Sequence, residues 1–175
     1  MFWDKPIETL KRPALEQLQL KRLQATIRRV HKTVPFYQQK FAALKLKPRD
    51  IQSLDDVRRL PFTTNADLRT TYPRGLVALP ANQLARLHAS SGTTGKPKAL
   101  FFSRRDVDNA AELMARCLTM AGMTSGDTLQ NMMTYGLFTG ALVMHYGAEK
   151  IGCLVIPAGP GNSEKQLLLM QDFRS

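Results

Sequence analysis

Apolar residues recur at helical spacing early in the chain and alternate with polar ones later. After Pro13, residues Leu15, Leu18, Leu23, Ile27, Val30 and Val34 follow at intervals of three to five. That spacing predicts one amphipathic helix with a single apolar stripe. The opposite face holds Lys21, Arg22, Arg28, Arg29, His31 and Lys32 and reads as solvated. Pro13 suits the first helical turn, and Pro35 ends the pattern because proline disfavours helix in the residue before it. A second short helix is predicted over 36–44. Short capped elements follow at Ser53–Leu60 and Thr63–Leu68, punctuated by Pro61, Pro73 and Pro80.

From residue 84 the pattern changes. Leu84 to Ala89 alternates as a half-buried strand does. A Ser/Thr/Gly-rich loop follows, then a second strand over 99–102. Val107, Ala110, Ala111, Met114, Leu118 and Met120-Ala121 predict a helix over 106–121, ended by Gly122. A strand over 128–133, a buried helix over 137–150 ended by Gly152, and a strand over 153–156 come next. The last element is a helix over 163–173, capped by Ser163. Strands alternating with helices predict an α/β fold with parallel pairing. The expected organisation is a helical segment, 1–83, followed by an incomplete α/β subdomain, 84–175.

Composition adds limits. With 175 residues, 43% hydrophobic and 22% charged, the chain has the material for an ordinary core. Two cysteines, Cys117 and Cys153, exclude a disulfide framework and a four-cysteine metal site made by this chain alone. Both read as inert buried thiols, and Met132 and Met133 read as core filler. Asp4 and Pro6 interrupt any signal-peptide run, and the most apolar stretch, 136–148, is too short and too polar to cross a bilayer. A soluble, cytoplasmic protein is expected.

Charge is the outlier, at +11. Seventeen of the 25 basic residues, but only seven of the 14 acidic ones, lie in residues 1–90. A nucleic-acid binder would pair that charge with aromatics or a known motif, and neither is present. No nucleic-acid or membrane partner is therefore expected.

The densest chemistry is Ser90-Ser91-Gly92-Thr93-Thr94-Gly95-Lys96-Pro97-Lys98. Gly92 and Gly95 let the backbone turn tightly, four hydroxyls supply donors, and Lys96 and Lys98 supply charge. Convergent donors with little bulk suit a polyphosphate. The same composition also serves in plain flexible loops. A Walker A loop is excluded, because Ser90 stands where its first glycine belongs and Pro97 where its Mg²⁺-binding hydroxyl belongs.

This nine-residue string resembles the phosphate-binding signature of adenylate-forming enzymes. Leu87-His88-Ala89, Tyr135-Gly136-Leu137-Phe138-Thr139-Gly140, His145-Tyr146-Gly147-Ala148-Glu149 and Gly152-Cys153-Leu154-Val155-Ile156-Pro157 narrow the resemblance to the phenylacetate–CoA ligases. Val34-Pro35-Phe36-Tyr37 and Leu60-Pro61-Phe62-Thr63-Thr64 fit the same group, so the resemblance runs from about Trp3 to Arg174.

The resemblance implies the first part of that family's large N-terminal α/β domain. It implies two half-reactions for the parent protein. An aryl carboxylate attacks ATP to give an acyl-adenylate, and the thiol of coenzyme A then displaces AMP. Ser91, Thr93, Thr94 and Lys96 would hold the phosphates, Gly92 and Gly95 would permit the loop's shape, and Ser90 would serve the strand end or the loop. Tyr135, Gly136, Phe138, Thr139 and Gly140 would build part of the acid pocket. ATP, Mg²⁺ and coenzyme A would be the parent's cofactors, and a homodimer is compatible. His88 is expected to pack beside the loop, and His145 to be a core or dimer-face residue. The family's Mg²⁺ motif, ribose-binding aspartate, hinge and catalytic lysine have no counterpart in this sequence. No catalytic or metal-binding residue is therefore assigned, and this chain alone is expected to be inactive, with apolar surface and a strand edge uncovered. A non-catalytic fragment acting as an interaction module, or half of a split ligase, is the alternative. Phenylacetate, benzoate-like or indole acids would all suit the pocket.

Overall fold

The computed structural model describes residues 1–90 and 98–175. The apolar stripe becomes helix α2 (Arg12–Thr33), preceded by a short helix α1 (Lys5–Glu8) that no periodicity announces. The chain turns at an extended Val34 into α3 (Pro35–Ala43). Ile27 of α2 and Phe41 of α3 are buried with Leu46 and Ile51, and Leu23, Val30, Tyr37 and Leu60 pack around them. The Gln24 amide donates to the Ile51 carbonyl at 2.8 Å, which closes the far side of this cluster. His31 is not on a solvated face. It is half-buried and stacks on Phe41 with centroids 5.8 Å apart.

The segment at 53–60 forms a 3₁₀ turn, Asp55–Arg59, rather than an α-helix. Helix α4 (Asn65–Thr70) starts with a reciprocal cap, in which Thr64 accepts from the Asp67 amide and Asp67 accepts from that of Thr64. Lys40 donates to Asp67 at 2.8 Å, and that bond, with the Thr64 amide, lowers the carboxyl to about 2. The N-terminus is tied to the later half of the chain. The Trp3 indole donates to Glu112, and Arg116 pairs with Glu8 at 3.1 Å.

Strands β1 (Leu84–Ala89) and β2 (Ala99–Ser103) pair antiparallel, with His88 opposite Leu100 and Ala89 opposite Ala99. Parallel pairing is thus wrong for this pair. Nine residues separate the strands, too few for the crossover that parallel strands need. Strands β3 (Thr128–Gln130) and β4 (Leu154–Ile156) do pair parallel, with helix α6 (Thr139–Ile151) between them in sequence. The described strands therefore form two separate two-stranded sheets. Helix α5 (Arg104–Met120) opens on a Ser103/Asp106 capping box. Helix α7 (Ser163–Phe173) is capped by Asn162 rather than Ser163, its side chain accepting from the Lys165 amide at 3.1 Å.

Several residues read as core lie at the surface. Met132 and Met133 are 44% and 38% exposed. Cys117 is exposed, whereas Cys153 is buried and donates to the Thr124 carbonyl at 3.0 Å. Apolar surface is open on Leu154 of β4 and on Leu167, Leu168 and Phe173 of α7. Among the described residues, no helix is long and apolar enough to cross a membrane.

Helices α5 and α6 meet through small buried residues, namely Ala111 and Ala115 on one side and Ala141, Gly147 and Ala148 on the other. Thr119, also buried on α5, is the one side chain among the described residues whose buried oxygen lacks a hydrogen-bond partner. An unpaired buried hydroxyl costs free energy that a methyl group does not. Thr119→Val should therefore raise stability by about 1 kcal/mol, in line with the penalty for an unsatisfied polar group. Urea unfolding that shows a loss would contradict this.

Candidate functional site

Alternation along β1 puts Arg86 and His88 on one face. Arg86 lies 4.8 Å over the ring of Tyr146 on α6. His88 is 2% exposed, meets Phe102 edge-on at 5.1 Å and has Nδ1 3.3 Å from the Leu137 carbonyl. The Ala89 amide donates to that same carbonyl at 2.9 Å. His88 is thus a packed strand residue, as its sequence context suggested, and one that also touches the segment 135–140.

Beyond Ala89 the two ends of the loop meet. The Ser90 amide donates to the Lys98 carbonyl at 3.1 Å, and the Lys98 amide donates to Ser90 Oγ at 3.0 Å. The Lys98 ammonium donates to Asn65 Oδ1 at 2.8 Å, at the start of α4. Ser91, Gly92, Thr93, Thr94, Gly95 and Lys96, the remaining phosphate-loop residues, lie outside the described residues.

The segment 135–140 leads into α6. Leu137 and Phe138 are 56% and 46% exposed, so neither is core. Gly136 is exposed, and Thr139 is the first residue of the helix. Gly140 sits against Met133, whose terminal carbon would be 3.0 Å from an added Cβ. The whole segment hangs from Asn131, which is 3% exposed. Its side chain donates to the Ala141 carbonyl at 2.8 Å and accepts from the Met133 amide at 3.2 Å. Its backbone donates to Ile156 of β4 and accepts from Gly159.

Tyr135 is half-buried, and its hydroxyl lies 3.0 Å from His145 Nδ1. His145 Nε2 lies 3.0 Å from a carboxylate oxygen of Glu149. Burial pushes the Tyr135 phenol above its ordinary value, against an opposing pull from the Asn131 amide. His145 is therefore engaged at both ring nitrogens. The four-residue step from His145 to Glu149 is a helical pairing visible in sequence, whereas nothing in the sequence announces Tyr135 as the third member. Asn131 carried no sequence signal either.

A cleft of about 960 Å³ lies elsewhere among the described residues, between α2, residues 68–79 and the β1–β2 ribbon. Tyr37, Tyr72, Phe101 and Lys98 line it, and Tyr135 to Gly140 do not. Among the described residues, no group of three or more His, Cys, Asp or Glu side chains is placed to hold a metal ion.

No protein-family model matches the chain. It is 45% identical over 169 residues to a phenylacetate-coenzyme A ligase of Aromatoleum evansii, covering 97% of this chain and 38% of that protein. It is 44% identical over 174 residues to a phenylacetate-coenzyme A ligase of Thermus thermophilus, covering 99% and 39%. In structure it is similar to a 2-hydroxyisobutyryl-CoA ligase solved with 2-HIB-AMP and CoA. The TM-score is 0.87 and the identity 27%, over 97% of this chain and 40% of that one. The chain thus spans about two fifths of the length of the relatives it matches.

Proposed function

From a chain whose sequence matches the N-terminal portion of phenylacetate-coenzyme A ligases and whose fold matches that of an acyl-CoA ligase, we propose that it contributes the phosphate loop and part of the acid pocket to an aryl-acid CoA ligase. One observation carries the reading. The Leu137 carbonyl is taken by Ala89, immediately before Ser90, so the segment 135–140 is pinned beside the strand end that leads into the phosphate loop. An acid held at the first and a triphosphate held at the second would meet at close range, which is what a bimolecular attack on phosphorus needs.

In the first step a carboxylate oxygen of the acid forms a bond to the α-phosphorus of ATP, and the bond to the pyrophosphate oxygen breaks. Negative charge builds on the departing phosphates. The hydroxyls of Ser91, Thr93 and Thr94 and the ammonium of Lys96 would donate to it, a stabilisation that grows as the charge develops. In the second step the sulfur of coenzyme A bonds to the acyl carbon and AMP leaves. The described residues offer no metal cluster, so no step is assigned to Mg²⁺ through them. Gly136, next to Tyr135, would leave room for a flat ring, which favours aryl over bulky branched acids.

The test is pyrophosphate exchange into ATP by the full-length protein, with and without phenylacetate. Aryl-acid-dependent exchange is expected, and Lys96→Ala should lower it about tenfold, the scale of one lost charge-assisted contact. The 175-residue chain by itself should show none. Full-length protein that shows no exchange with any aryl acid would sink the reading, and that is how a non-catalytic interaction module would behave.

A further inference from the structure

The hydrogen-bond chain from Tyr135 to Glu149 has a direction. A carboxylate only accepts, so the proton on His145 sits on Nε2, facing Glu149. Nδ1 of the neutral ring is then a lone pair, and the Tyr135 hydroxyl must donate to it. The proton of Tyr135 is therefore spent on His145, and only oxygen lone pairs remain for anything else that approaches. The chain is locked from outside as well. The rings of Tyr135 and His145 meet edge-on at 5.8 Å, and Tyr146 flanks His145 at 5.4 Å beneath the Arg86 guanidinium.

We infer that His145 and Glu149 are positioning residues that turn the Tyr135 hydroxyl into an acceptor, and that the site thereby favours aryl acids carrying a hydrogen-bond donor on the ring. This rests on the acid pocket proposed above. A ring hydroxyl can donate to Tyr135. A ring fluorine in the same place cannot, and leaves a lone pair of the tyrosine oxygen desolvated and unmatched. The preference is a property of proton placement and not of shape, since hydroxyl and fluorine are nearly the same size.

Two measurements test it. In the 175-residue chain labelled with ¹⁵N-histidine, His145 should report the Nε2–H tautomer when neutral, and Glu149→Gln should give a mixture of tautomers. An Nδ1–H tautomer in the unaltered chain would overturn the inference. In the full-length protein, kcat/KM is compared for the three ring-hydroxylated phenylacetates and their fluoro counterparts. At one ring position the hydroxyl acid should be preferred about fivefold, the worth of one ordinary hydrogen bond. Tyr135→Phe should bring the ratio to about one, and His145→Leu should lower it, because the freed hydroxyl can then donate. The ratio is internal to each preparation, so a loss of folded protein cancels. No hydroxyl preference at any position, or an unchanged ratio in His145→Leu, would overturn it. Absence of turnover with every aryl acid would instead count against the proposed function and take the specificity claim with it, while the tautomer measurement still decides what the dyad does.

Discussion

Gly147→Ala is expected to lower stability by about 2–3 kcal/mol, the cost of forcing an extra carbon into a filled interface. A Cβ at Gly147 would lie 2.5 Å from Met114 Cγ, 2.6 Å from Met114 Cβ and 3.2 Å from the Ala115 amide nitrogen. Rotating the end of the methionine does not relieve this, because its Cβ is fixed to the α5 backbone. The helices would have to separate, and Ala115 and Ala148, both fully buried at the same seam, would lose their packing. For a chain of this size the drop in Tm should be about 5–10 °C. Gly126→Ala is the control, since an added Cβ there meets only Thr124 Oγ1 at 3.8 Å. Calorimetry that finds the two variants equally stable would show that α5 and α6 can shift apart freely.

Asn131→Leu should cost about 2 kcal/mol, because it removes two hydrogen bonds made by a buried side chain, each worth about 1 kcal/mol. The Ala141 carbonyl would keep only its helical donor, and the Met133 amide would lose its side-chain acceptor. Leucine matches asparagine closely enough in size that packing is not the main loss. The effect has a functional side too. Asn131 fixes both ends of the stretch that contains Tyr135 to Gly140, so the full-length variant should show a raised KM for the aryl acid. The KM for ATP should move less. A variant of normal stability with an unchanged KM would show that this stretch is held by other means.

Local pattern reached far into this structure where local physics decides. The stripe from Leu15 to Val34, the alternation of Leu84 to Ala89, and the stops at Gly122 and Gly152 (φ +105° and +98°) all express forces acting within a few residues. The antiparallel direction of β1 and β2 depends on the nine-residue length of their connection, which the α/β rhythm does not express. The surface positions of Met132, Met133 and Cys117 depend on which side of an element has a neighbour, and periodicity does not carry that. The site divides the same way. Ser90 to Lys98 stood out by composition alone. The pairing of His145 with Glu149 follows from helical spacing, whereas the contacts of Asn131 and of Tyr135 with α6 emerge only on folding.

The shared carbonyl of Leu137 has a thermodynamic consequence. Ala89 and His88 hold it from one side, and Tyr135 and Phe138 follow its movements from the other. The end of β1 and the segment 135–140 share this contact, so an acid and a nucleotide bound there as proposed above would not bind independently. Linkage is reciprocal. Whatever factor a bound acid adds to the affinity for a nucleotide, a bound nucleotide must add to the affinity for the acid, and a single backbone oxygen would be the point through which both are felt.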